Sequence, residues 1–106
     1  MQLVVRSKNF QMAQSVRDKV EASIKRVFSR FGNHIDQLEV SLRDVQGAGG
    51  EHDKEASITA HVRRSGRLFI DTRGKDYADT IQSAAEKLGS RLKGYLQSHH
   101  MDATSL

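Results

Sequence analysis

Leu38-Glu39-Val40-Ser41-Leu42-Arg43 alternates apolar and polar residues without a break, and Ala56-Ser57-Ile58-Thr59-Ala60-His61-Val62-Arg63 repeats the pattern. Successive side chains of a strand point to opposite faces, so each stretch reads as a strand with one buried and one wet face. A sheet with a single apolar face needs a second layer on that face only. That requirement organises the rest of the chain.

Upstream, Leu3-Val4-Val5 reads as a short first strand, followed by a polar connection at Ser7-Lys8-Asn9. From about Gln11 to Phe31, Ala13, Val16, Val20, Ile24, Val27 and Phe31 recur at helical spacing, and Gly32-Asn33 is expected to end that helix. Gln46 to Asp53, with Gly47, Gly49 and Gly50, reads as a flexible polar loop. Downstream, Arg64-Ser65-Gly66-Arg67 is a hairpin-turn signal, and Leu68 to Thr72 forms the last strand. Asp76 is placed as an N-cap, and Tyr77, Ile81, Ala84, Leu88, Leu92 and Tyr95 form the stripe of a second helix.

The order is β-α-β-β-β-α, an α+β chain. The first two strands should be parallel across a right-handed crossover and the others should meander. The result is a four-stranded mixed sheet with both helices on one face. Residues 1–98 read as a single domain and 99–106 as a polar, disordered tail.

The 106 residues contain 17 Lys and Arg against 13 Asp and Glu, a net charge of +4 with His neutral. A basic balance favours attraction to polyanions. There is no Cys, which excludes disulfides and thiolate metal sites and fits a reducing compartment. The apolar run after Met1 is too short for a signal peptide, and nothing approaches the ~20 apolar residues that cross a bilayer. The expected location is the cytoplasm, with no membrane partner.

The charge has a pattern. At ~100° per residue, Lys19, Arg26 and Arg30 fall on one flank of the first helix, and Lys87 and Arg91 on the same angular side of the second. Lys93 lies further round, and Lys75 precedes the second helix. Lys and Arg in such rows suit phosphate contacts. The bland alternative is a solvated helix exterior, since Asp18, Glu21, Asp79 and Glu86 share these helices, mostly at other angles. The wet sheet face carries Arg6, Arg43, His61, Arg63 and Arg73. A sheet that reads RNA presents exposed aromatics; Phe69 is the one candidate, and its direction depends on strand register. An ordinary solvated sheet is the favoured reading there.

No catalytic arrangement emerges. The Gly-rich stretch lacks the Lys-Ser/Thr ending of a phosphate loop. His99-His100 sits in the polar tail, and His52 lies in the loop between Glu51 and Asp53 without a positioned partner. Neither makes a metal site, and no nucleophile–base pair can be defended from spacing. The expectation is a non-enzyme with no cofactor, metal or small-molecule substrate.

With these stretches in place, the chain resembles the ribosome hibernation-promoting factor and ribosome-associated inhibitor A family over about residues 1–97. The likeness rests on element order and on Val16-Arg17-Asp18-Lys19-Val20 with Arg26-Val27, on Leu38 to Asp44 followed by Gly47 to Lys54, and on Asp76, Ile81, Glu86-Lys87-Leu88 and Leu92. The resemblance implies a fold akin to the double-stranded-RNA-binding domain. It implies a protein that sits on the small ribosomal subunit and contacts ribosomal RNA through basic helices, here Lys19, Arg26, Arg30, Lys75, Lys87, Arg91 and Lys93. Translation would be blocked, and inactive ribosomes kept intact, by occlusion. Departures are Ser90, Gly94 and Leu96, where Arg or Lys are common, and Ser23 for a frequent Lys. The chain is expected to lack the C-terminal extension of longer members and to resemble a short form, a monomer or weak dimer. The competing class is a protein-interaction module of the same fold that has lost RNA binding.

Overall fold

The computed structural model describes residues 2–9, 11–46 and 52–98, with β1 (Gln2–Ser7), α1 (Gln14–Phe28), β2 (Ile35–Gln46), β3 (His52–Val62), β4 (Arg67–Gly74) and α2 (Tyr77–Ser98). The strands form one sheet in the order β1-β2-β3-β4. β1 runs parallel to β2, and the other neighbours are antiparallel. This is the expected mixed α+β architecture.

The alternation places Leu38, Val40, Leu42, Ala56, Ile58, Ala60 and Val62 in the core. Against them lie Val20, Ile24, Phe28 and Phe31 from the first helical segment and Ile81, Ala84, Ala85, Leu88, Leu92 and Leu96 from α2. Burying a large aliphatic or aromatic side chain contributes about 1.5–3 kcal/mol, so these two rows hold the helices on the sheet. The opposite face carries no helix, and Phe69 points out on it.

Several boundaries differ from the sequence reading. The first α-helix starts at Gln14 and stops at Phe28; a 3₁₀ segment, Ser29–His34, carries the chain on through Gly32-Asn33. That tighter winding turns Phe28 and Phe31 together into the core, with ring centroids 6.4 Å apart. β2 and β3 run to Gln46 and from His52, so the ends of the expected loop are paired strand; Gly47–Gly50 and Glu51 lie outside the described residues. Leu96 is fully buried rather than standing at a surface position. Residues 99–106, including His99-His100, also lie outside the description.

Local chemistry fixes the ends. Asn9 extends the β1–β2 ladder with its side chain: its amide nitrogen donates to the Asp44 carbonyl at 2.5 Å and its oxygen accepts from the Asp44 amide at 2.9 Å. Asp76 caps α2 as expected, its carboxylate accepting from the Ala78 and Asp79 amides at 2.6 and 3.2 Å. The buried Thr72 hydroxyl donates to the Thr80 carbonyl at 3.1 Å, joining β4 to the first turn of α2. A Cβ at Gly74 would collide with Thr80 Oγ1, so glycine is what lets the chain turn from β4 into α2 there.

Candidate nucleic-acid interface

The two helices run in the same direction. Each follows a strand of the same orientation, and the packed pairs advance together: Arg26 meets Gln82, then Val27 meets Gly89. For parallel helices lying side by side, the flanks that face each other are opposite angular sides. The flank of α1 with Lys19 and Arg26 therefore meets the flank of α2 with Gln82, Gly89 and Lys93. Lys87 and Arg91 share the angular side of Lys19, and for that reason face away, towards β4. The expected cations form two strips.

The first strip follows the groove between the helices. At one end is a cleft of about 320 Å³ whose lining includes Lys19, Lys54, Lys75 and Tyr77. Lys75 Nζ donates to Asp53 Oδ1 at 2.6 Å, and this bond, with the positive charge behind it, holds the Asp53 carboxyl below its ordinary range. Lys54 lies 3.4 Å from Asp44 and sits over the Tyr77 ring at 5.0 Å. Partial burial, with Asp44 nearby, raises the Tyr77 hydroxyl above its usual pKa. Lys19 makes no ion pair among the described residues.

Midway, Arg26 Nη2 donates to Gln82 Oε1 at 2.7 Å, and Gln82 Nε2 donates to Glu86 Oε1 at 2.7 Å. Further on, Lys93 borders a depression with Val27, Phe31 and Gly89. A Cβ on Gly89 would stand 3.1 Å from Val27 Cγ1, so this glycine brings the helices together as well as lowering helix propensity. Arg30 belongs to the 3₁₀ segment, and its side chain is outside the description.

The second strip lies along the sheet edge. Lys87 and Arg91 border an open depression with Ile70, and Arg91 Nη1 donates to the Phe69 carbonyl at 2.9 Å. Glu86 and Ser90 line both depressions and form the crest between the strips.

Charge pairing separates the layers. Among the described residues Lys19, Arg26, Lys87, Arg91 and Lys93 make no ion pair. On the sheet, Arg43 and Arg73 share Glu55 at 2.7 and 3.3 Å, and Arg63 holds Asp36 at 3.0 Å. His61 faces Glu39 at 3.3 Å. Arg43, Arg63 and Arg73 on the sheet therefore already have carboxylate partners, while the helical cations named above have none among the described residues.

Sequence reasoning missed Lys54, because the third strand was read as starting at Ala56. The signal was present: position 54 continues the inward series of 56, 58 and 60. Gln82 was also missed, since a neutral side chain carries no charge pattern.

Among the described residues no group of three or more His, Cys, Asp and Glu is placed to hold a metal, and no helix is long and apolar enough to cross a membrane.

The sequence profile of the family described as sigma 54 modulation protein / S30EA ribosomal protein matches residues 3–104. No curated protein matches the chain. Among solved structures, a ribosomal subunit interface protein from Coxiella burnetii superposes with a TM-score of 0.76 at 14% identity, covering 90% of this chain and 97% of that one. The N-terminal domain of Protein Y from Thermus thermophilus gives 0.71 at 21% identity, covering 90% and 99%. At such identities the two likenesses speak to the fold.

Proposed function

The chain belongs to the sigma 54 modulation protein / S30EA ribosomal protein family, and we propose that it is a ribosome-associated factor that binds the small subunit through ribosomal RNA. It blocks translation or protects inactive ribosomes by occupying space, without a chemical step. The working unit is the single α+β domain ending near residue 98.

The observation that carries this reading is the unequal pairing of charge. Helical cations lacking carboxylate partners attract phosphates at little desolvation cost, because no internal ion pair has to be broken first. The groove row of Lys19, Arg26 and Lys93 supplies one set of contacts, with Lys75, already paired to Asp53, at one end and Arg30 further along the first helical segment. Lys87 and Arg91 supply a second. Arg26 is held by a neutral amide rather than an acid, so its remaining N–H donors are free to meet a phosphate.

Sedimentation with purified small subunits tests the proposal. The protein should travel with the subunits at low salt and leave them progressively as salt rises. Its absence from the subunit fraction at low salt contradicts it.

A further inference from the structure

We infer that the free edge of β4 is a contact for single-stranded RNA, with Phe69 stacking on a base while Arg67, Lys87 and Arg91 take neighbouring phosphates. The inference deepens the ribosome-binding reading above and rests on it.

Phe69 is 54% exposed, and it is the exposed large hydrophobic residue among those described. It projects from the face that carries no helix, on the last strand of the sheet. An aromatic ring in that position is what base stacking requires. Arg67 lies two residues earlier on the same side of the strand, exposed and without an ion pair among the described residues. The nearest acid along the strand, Asp71, shares this face two residues beyond Phe69, so the cations gather at the Arg67 end.

The outer helical strip borders the same strand from the helical side of the sheet. Arg91 donates to the Phe69 carbonyl at 2.9 Å, so Lys87 and Arg91 lie at the edge of the strand whose other face carries the ring. The preceding turn adds Arg64, which adopts a positive φ of 59°. Glycine or asparagine would sit there with less strain. Arg64 is exposed and makes no ion pair among the described residues, so it adds a charge at the same end of β4. Cations with a single exposed aromatic ring are the recognition chemistry of an unpaired strand, whereas a duplex offers a protein backbone and groove but no free base face.

Fluorescence anisotropy with a labelled oligouridine and with an RNA duplex of equal length tests the inference, using the full chain. Phe69→Ala should weaken oligouridine binding about tenfold, as loss of one stacked base does. Its salt dependence should stay as in wild type, and Phe69→Tyr should bind normally. Arg67→Gln should instead flatten the salt dependence by roughly 0.7 log unit per log unit. The side chain of Phe69 is exposed, so the unfolding midpoint of Phe69→Ala should match wild type.

Unchanged oligouridine affinity in Phe69→Ala overturns the inference. If that variant still travels with small subunits, the ribosome-binding reading survives the loss. If it loses the subunits while keeping oligouridine, Phe69 meets a protein and the RNA contact is wrong. A wild-type chain that binds no subunits removes both claims.

Discussion

Arg26 Nη2 donates to Gln82 Oε1 at 2.7 Å, joining the two helices through a side-chain hydrogen bond at the groove surface. The bond fixes the guanidinium over the groove without neutralising it. Exposed hydrogen bonds of this kind contribute about 0.5–1.5 kcal/mol. Gln82→Ala should therefore destabilise the fold only slightly and keep most small-subunit affinity. Arg26→Gln should lose several-fold more affinity at equal stability. Urea unfolding beside a subunit-binding titration compares the two, and equal affinity losses would reject the role given to Arg26.

Gly94 and Leu96, two positions where the resemblance leads one to expect a cation, are not equivalent. Gly94 is exposed with nothing within 4 Å of an added Cβ, while Leu96 is fully buried. Gly94→Lys should stabilise the helix by up to about 1 kcal/mol and strengthen RNA binding. Leu96→Lys puts an unpaired charge in the core and should cost about 3 kcal/mol or more. Thermal unfolding of both variants checks the pair.

Gly74→Ala should be destabilising, because the new methyl group meets Thr80 Oγ1. That hydroxyl is not free to swing away, since it donates to the Asp76 carbonyl at 2.6 Å. A loss of about 1–3 kcal/mol is expected, read as a lower denaturation midpoint with the slope unchanged.

Tyr77 makes alkaline stability a local readout. Its hydroxyl titrates above the ordinary value of 10.0 because burial disfavours the phenolate. The unfolded chain then gives up this proton before the folded one. The stabilising contribution is complete below pH 10.0 and is lost as pH rises through the folded-state value. Tyr77→Phe should flatten that part of the alkaline limb in unfolding curves. An identical limb in both proteins would place the titration elsewhere.

The fold was readable because two periods do not conflict. Leu38 to Leu42 and Ala56 to Val62 repeat every second residue, while Val20, Ile24, Ile81, Leu88 and Leu92 follow the helical spacing. The 3₁₀ segment was hidden because Phe31 fits an extended α-helical stripe nearly as well as it fits a tighter turn. The candidate interface was legible by residue type and not by grouping. Angular position on one helix says nothing of where its neighbour lies. Parallel packing is what sends Lys19 and Lys87 to different sides, although they share an angle on their own helices. The exposure of Phe69 became definite only with the strand register, which pairs it with Thr59 on the wet face.

The proposed small-subunit binding depends on helical cations without carboxylate partners meeting RNA phosphates. The salt dependence of small-subunit affinity, compared between wild type and the Lys19→Gln, Lys93→Gln double variant, tests it most directly. Each lost phosphate contact should flatten the plot of log affinity against log salt by about 0.7–0.9, so the double variant should be shallower by roughly 1.4–1.8. Superimposable slopes for the two proteins would contradict the account.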